Sequence, residues 1–218
     1  MSRAYIFSDE AGCFSFARNA RASKYFLVCT VTISDCSLGG DLLALRRDMV
    51  WRGLPVREDF HATEDKQEVR NEVYAFIAGH DIRVDATILE KSKAQPHTRE
   101  SSDRFYKYAW YYHFKHVGPK ILRGSTEAMI TAAALGTKKG QAVYTAAVND
   151  VMQQTTKGKK WKTCFPRAVA DPCLQIADYC AWAIQRKWER DDTRSYDLIS
   201  GKIETEYNLW RTGVVHYY

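Results

Sequence analysis

The sequence predicts a single α/β domain. Two strand-like runs, 4–8 and 25–33, lie close together and predict an opening antiparallel pair. Helical patterns then alternate with further strand patterns, and no internal repeat or low-complexity linker divides the chain. The 218 residues are 45% hydrophobic and 27% charged, which is typical of a globular protein. We therefore expect one domain over residues 1–218.

The first elements follow from apolar runs and their breaks. Residues 4–8 are an apolar run that predicts a buried strand, with a turn at 9–12. Residues 25–33 are almost all β-branched or aromatic and predict a second strand. Leucines repeat with helical spacing over 40–52, and the Gly-Leu-Pro sequence at 53–55 predicts the end of that helix.

The middle of the chain alternates in the same way. A short strand is predicted over 57–62, and Thr63 is a plausible cap for a helix that ends at Gly79. Apolar residues alternate over 82–89, which predicts a strand. A helix dense in aromatic residues is then predicted over 103–117.

The last predicted elements lead to the clearest helix of the sequence. A strand is predicted over 127–135, a helix over 140–156 and a strand over 163–170. The final helix is predicted over 172–189, because Pro172 is favoured at the first helical position.

Composition excludes several classes of protein. No apolar run approaches twenty residues, so no transmembrane helix is predicted. The first residues lack the pattern of a signal peptide, and the six cysteines contain no Cys-x-x-Cys pair. We therefore expect a cytoplasmic protein with reduced, buried cysteines and no membrane contact. The net charge of +6 permits a nucleic-acid partner without requiring one.

Acidic residues stand at the predicted ends of buried elements. Asp9 and Glu10 directly follow the first strand, and Asp171 precedes the last helix. Asp178 shares a helical face with Asp171, among small apolar residues. Buried carboxylates need a donor, a cation or a metal, and oxygen-rich sites suit Mg²⁺ or Mn²⁺. The sequence therefore indicates a metal site of Asp9, Asp171 and Asp178, of the kind that cleaves phosphodiesters.

Each acid also has a simpler interpretation. Asp9 could cap a turn, and Glu10 could be a solvated turn residue. Asp171 before a proline is a plausible helix N-cap. Asp178 could pair with Arg186.

Three short motifs resemble a known family. Tyr5-Ile6-Phe7-Ser8-Asp9-Glu10-Ala11-Gly12 resembles the strand and Asp-Glu-Ser-Gly opening of the bacterial domain-of-unknown-function 3800 family, with alanine in place of serine. Phe60-His61-Ala62 resembles its short His-Ala element. The run Leu174-Gln175-Ile176-Ala177-Asp178-Tyr179-Cys180-Ala181 is similar to its C-terminal Leu-Gln-x-Ala-Asp helix. The three motifs are in the family's order and span most of the chain.

The resemblance implies a ribonuclease H-like fold, a mixed sheet flanked by helices in which acids of the first strand and last helix meet at a metal site. It implies that Asp9 and Asp178 are metal ligands, that Glu10 is the second acid of the opening, and that His61 belongs to the middle element. Alanine at position 11 removes a hydroxyl but no expected ligand.

The resemblance also implies a further acid, for which Glu64 and Asp171 are rival candidates. The expected activity is metal-dependent hydrolysis of RNA or DNA, with Mg²⁺ or Mn²⁺. The alternative is a subunit of a defence or mobile-element system that binds nucleic acid or protein without cutting. The two differ in whether product forms when the divalent ion is added.

A basic stretch is the best candidate for contact with nucleic acid. It is predicted to be a loop and contains Lys157, Lys159, Lys160, Trp161 and Lys162. The aromatic helix over 103–117 has more aromatic residues than one face can bury, which favours a homodimer contact, although it could also stack on bases.

Overall fold

A six-stranded mixed sheet organises the chain. The computed structural model describes residues 3–17, 19, 21–134 and 138–217, without the side chains of 138–140. The strand order across the sheet is β5-β4-β1-β2-β3-β6. The strands are β1 (Arg3–Ala11), β2 (Tyr25–Ile33), β3 (Arg83–Glu90), β4 (Glu127–Ala132), β5 (Lys160–Cys164) and β6 (Ile203–Asn208).

Strand directions divide the sheet into an antiparallel half and a parallel half. β1 pairs with β2, and β2 with β3, in antiparallel fashion, which confirms the predicted opening pair. β4 runs parallel to β1, and β5 runs parallel to β4. β6 is parallel to β3 at the other edge. The carboxyl ends of β1, β4 and β5 therefore lie at the same edge of the sheet.

Helices cover both faces of this sheet, which confirms the predicted α/β class. Helices α1, α2, α5 and α6 share one hydrophobic core with one face, and α3 and α4 share a second core with the other. Helix α5 packs directly over β1 and β2. The helices are α1 (Leu38–Trp51), α2 (Gln67–Gly79), α3 (Ser102–Ile121), α4 (Lys138–Thr155), α5 (Pro172–Arg190) and α6 (Arg194–Ile199).

Two short predictions around the site are wrong. The predicted turn at 9–12 begins too early, because β1 continues to Ala11 and its pairing with β2 includes Asp9 and Glu10. Residues 57–62 do not form a strand, and Thr63 does not cap a helix. Helix α2 begins at Gln67, after an extended Lys66.

The sequence also misplaces the elements near the basic stretch. Residues 160–164 form β5, so the predicted basic loop is partly a strand and the strand predicted over 163–170 begins earlier. The helix predicted over 172–189 is confirmed as α5, but it is not the last element. Its chain turns at Asp191, which has a left-handed backbone with φ of 54°, and continues into α6 and β6.

Two expectations from composition concern membranes and thiols. Within the described ranges, none of the helices combines the length and the apolarity that crossing a bilayer requires. The six cysteines are free thiols, and only half of them are buried. Cys29, Cys173 and Cys180 are buried, Cys13 and Cys164 are half-buried, and Cys36 is exposed.

The aromatic helix α3 packs largely within its own chain. Tyr106, Trp110 and Phe114 are fully buried in the core shared with α4 and the sheet. The ring of Tyr108 lies 6.0 Å from the ring of Trp210, in the segment that follows β6. Contacts within the chain thus cover much of the helix, and the homodimer contact stays a prediction.

A buried histidine on α3 predicts loss of stability in acid. His113 lies between the hydroxyls of Thr30 and Thr87, at 2.9 and 3.0 Å, and burial lowers its pKa from 6.5 to about 4. The unfolded chain binds the proton first as pH falls, so unfolding becomes easier between pH 6.5 and 4. The full effect is about 3 kcal/mol.

This effect is measured by urea denaturation across that pH range. His113→Gln cannot be protonated there, so its free energy of unfolding should depend less on pH than that of the parent. The exposed His97 provides the control, because His97→Gln should leave the pH dependence unchanged. Equal pH dependence in the parent and in His113→Gln would contradict the assignment.

Candidate active site

Two carboxylates meet where helix α5 crosses the end of β1. Side chains alternate along a strand, and Asp9 lies on the same face as Phe7 and Ala11, which pack towards α5. Asp178, two turns into α5, reaches hydrogen-bonding contact with Asp9. Burial and the neighbouring carboxylates raise the pKa of Asp9 well above its usual value, and burial also raises the pKa of Asp178. The pair therefore favours a shared proton or a bound cation.

The segment around His61 covers this pair. The imidazole Nδ1 of His61 lies 3.5 Å from Oδ2 of Asp178, and the backbone N–H of Ala62 donates to the same oxygen at 2.8 Å. The His61 side chain is 45% exposed, whereas that of Asp178 is 19% exposed. One edge of the ring thus faces the carboxylate pair while the rest remains open to a ligand.

Side chains of α5 hold that segment in place. The backbone N–H of Phe60 donates to Oε1 of Gln175 at 3.1 Å, one turn before Asp178. Tyr179 donates its hydroxyl to Asp65, which also accepts from the backbone N–H of His61 at 2.8 Å. These contacts favour an irregular segment over a strand, since Gln175, Asp65 and Asp178 accept from the backbone N–H groups of residues 60–62 that a sheet would otherwise bind.

Asp65, and not Glu64, is the buried acid of this segment. Glu64 is exposed and forms an ion pair with Arg57. Asp65 is only 4% exposed, and its Oδ1 has no hydrogen-bond partner in the described part of the chain. The sequence placed both acids in a helical first turn, so it offered no reason to separate them. The sequence signal that could have separated them is the four-residue spacing between His61 and Asp65, because Asp65 accepts from the backbone N–H of His61.

Asp171 takes the simpler of its two predicted roles. Its side chain caps α5 by accepting from the backbone N–H of Cys173 at 2.9 Å. Asp178 is seven positions further along the helix, a rise of about 10 Å. Arg186 pairs with Asp192 at 2.6 Å and is not the partner of Asp178. The structure therefore brings Asp9 and Asp178 together and leaves Asp171 apart from them.

Glu10 points to the opposite face of the sheet from Asp9. Its Oε1 accepts from the hydroxyl of Tyr106 at 2.8 Å and from the indole N–H of Trp110 at 3.0 Å. Its Oε2 is buried without a hydrogen-bond partner in the described residues, and burial raises the pKa of Glu10 to about 7. Glu10 therefore fastens the end of β1 to α3 and does not complete a carboxylate cluster with Asp178.

The donor set of the site suits a hard divalent cation. Among the described residues, no three or more His, Cys, Asp or Glu side chains form a group that could hold a metal ion. Mg²⁺, however, is usually held by one or two carboxylates, with water and substrate phosphate as its other ligands. Asp9 and Asp178 supply two such carboxylates in contact, and Nδ1 of His61 lies beside them without a hydrogen-bond partner in the described structure. The two carboxylates therefore fit the ion.

The predicted basic stretch divides into three parts. Lys159 is occupied, because its Nζ donates to the carbonyl oxygens of Leu122 and Ser125. Trp161 packs against the core that α4 shares with the sheet, and Lys157 lies by a groove between the ends of α3 and α4. Only Lys160 and Lys162 are exposed side chains of β5 itself.

Comparison with known proteins gives limited similarity. No protein-family model matches the sequence, and no curated protein matches it. Among solved structures, a chain of the PCNA:RNase HII complex from Archaeoglobus fulgidus aligns with a TM-score of 0.49 and 13% identity. The alignment covers 93% of this chain and 91% of that chain. Similarity of this extent transfers no residue roles, so the roles below depend on the geometry of this chain.

Proposed function

We propose that this chain is a divalent-metal-dependent nuclease of ribonuclease H-like type, and a member of the domain-of-unknown-function 3800 family. The observation that carries the proposal is the contact between Asp9 and Asp178, from β1 and α5, beneath His61. Two half-buried carboxylates in contact destabilise the protein unless a proton or a cation lies between them. Such an arrangement is typical of a functional site.

In the proposed reaction, Asp9 and Asp178 hold Mg²⁺ or Mn²⁺. The chemistry that such an ion would supply is activation of water and stabilisation of the charge that develops during phosphodiester hydrolysis. The half-exposed imidazole of His61 contacts the phosphate or orients water beside the pair. Asp65 and Gln175 position that imidazole through the backbone of the His61 segment.

Glu10 acts as a positioning residue in this proposal. Its hydrogen bonds to Tyr106 and Trp110 tie the end of β1 to α3, and Asp9 is the adjacent residue of that strand. Glu64 and Asp171 have no contact with the carboxylate pair, among the residues described, that would support a catalytic role for them. The reacting groups of the proposal are therefore Asp9, Asp178 and His61.

The test is cleavage of a panel of RNA, DNA and hybrid substrates by the purified chain, with Mg²⁺, with Mn²⁺ and with EDTA. Metal-stimulated cleavage that Asp9→Asn abolishes is the expected result. Asp41→Asn, an exposed acid of α1, is the matched control and should cleave like the parent. Equal cleavage by Asp9→Asn and the parent would refute the proposal.

The second candidate is a binding subunit that does not cut. It is favoured by one observation, that only two acids come together in the part of the chain described. It predicts nucleic-acid binding that weakens with salt, survives Asp9→Asn and yields no product in the same panel.

A further inference from the structure

The two exposed lysines of β5 lie on the same face of the sheet as Asp9. Register places Arg3, Glu127 and Lys160 in one row across β1, β4 and β5. The next row in the same orientation contains Met129 and Lys162. Asp9 lies further along β1 with the same alternation, so all these side chains project from the α5 side.

None of the described helices covers this part of the α5 side. Helix α5 packs over β1 and β2, and α4 meets β5 from the opposite face, where Thr163 hydrogen-bonds to Asn149. Met129 is half-buried and belongs to neither hydrophobic core. A groove of about 540 Å³ lies there, lined by Arg3, Glu127, Met129, Lys160 and Lys162 among others.

The groove has excess positive charge. Arg3 and Glu127 form an ion pair at 2.7 Å and neutralise each other. Lys160 and Lys162 have exposed side chains, and neither ammonium group forms a hydrogen bond or ion pair with any residue that the structure describes. The two lysines are two positions apart along the strand, a spacing of about 7 Å. Two ammonium groups in a row along a groove can contact successive phosphates of a nucleic-acid strand. A flat membrane surface cannot enter a groove of this kind.

The distance to the carboxylate pair is also suitable. Lys162 lies in the same row as Tyr5, on the second strand from β1. Because Tyr5 is four residues before Asp9 on β1, Lys162 and Asp9 are about 17 Å apart. A few nucleotides of a bound strand span this distance, since the rise per nucleotide is roughly 3.4 Å.

We propose that this uncovered face of β4 and β5 binds the sugar-phosphate backbone of nucleic acid, with Lys160 and Lys162 contacting phosphates. This surface would hold the substrate of the proposed nuclease. The choice of nucleic acid as the ligand rests on that proposed function. It narrows the predicted nucleic-acid contact from the whole basic stretch to two residues on one face of β5. It requires no base contacts, so binding should not depend on sequence.

The experiment measures binding of fluorescent RNA and DNA oligonucleotides in EDTA, where metal-dependent cleavage cannot occur. We compare the parent with Lys160→Glu/Lys162→Glu across salt concentrations from 50 to 200 mM. Loss of two phosphate contacts should reduce the slope of log K against log salt by about 1.8 for duplex or about 1.4 for single strands. For duplex, the affinity of the variant should therefore fall about twelvefold less over this salt range than that of the parent.

Arg190→Glu/Arg211→Glu is the matched control, because both residues are exposed and lie at the β6 side of the sheet. It changes net charge equally and should bind with the slope of the parent. A β5 double variant with an unchanged slope, or a control that loses as much slope, would overturn the proposal. Binding that depends on Lys160 and Lys162 without any metal-dependent product would retain this surface and refute the nuclease.

Discussion

Replacing Asp178 by asparagine is expected to abolish metal-stimulated cleavage and, at the same time, to raise thermal stability. Asparagine keeps an oxygen for the backbone N–H of Ala62 but removes one of the two carboxylates of the pair. The rate should fall by at least about 10²-fold, the effect of removing one group that stabilises the reacting charge. Cleavage is measured at saturating Mg²⁺ and Mn²⁺.

Stability should change in the opposite direction because, in the absence of a bound cation, the carboxylates of Asp9 and Asp178 repel each other. Burial and its carboxylate neighbours raise the pKa of Asp9, so the folded chain loses stability as pH rises through that pKa. At pH 8 in EDTA, Asp178→Asn should therefore melt at a higher temperature than the parent, by about 2–4 °C for each kcal/mol relieved.

Added Mg²⁺ separates this explanation from a purely structural role for the acids. It should raise the melting temperature of the parent, by binding to the folded state, and have no such effect on Asp178→Asn. Asp41→Asn again serves as the control and should respond to Mg²⁺ like the parent. A variant that melts lower than the parent, with no response to Mg²⁺ in either protein, would show that the pair is structural.

The sequence identifies the acids of the site better than it identifies their neighbours. Asp9 and Asp178 are identifiable because each is a charged residue among buried apolar ones, and burial of a carboxylate requires a compensating partner. Asp171 is also conspicuous, but its position before Pro172 supports a cap equally well, and the cap is what forms. The sequence alone cannot separate the helix-cap role of Asp171 from a metal-ligand role, because the two differ only in which groups its carboxylate contacts.

Tertiary contacts decide what local patterns leave open near His61. The sequence predicts a short strand over 57–62, yet Gln175 and Asp178 bind the backbone of this segment from a helix more than a hundred residues away. Tyr179 of the same helix and the backbone of His61 bind Asp65, which is buried, while Glu64 remains in solvent. Glu10 differs, because strand alternation alone would have placed it opposite Asp9 if β1 had been extended to Ala11.

Gly12, in the turn that follows β1, should be a position at which a single methyl group strongly lowers the free energy of unfolding. Gly12 has φ of 100°, and a Cβ there would lie 2.4 Å from the carbonyl oxygen of Tyr25. The neighbouring β2 backbone cannot move away without breaking its pairing with β1. Gly12→Ala is therefore expected to destabilise the protein by at least about 2–3 kcal/mol, measured by urea denaturation.

Gly40→Ala separates this effect from a general response to alanine. Gly40 lies in α1, and no described residue beyond its own turn of helix comes within 4 Å of the position that a methyl group would take. Alanine should therefore stabilise the helix by about 0.5–1 kcal/mol. If Gly12→Ala unfolds no more easily than the parent, then the turn does not constrain the end of β1. If it is destabilised as expected, then the cleavage rate of the fraction that remains folded shows how far Asp9 depends on this turn for its place beside Asp178.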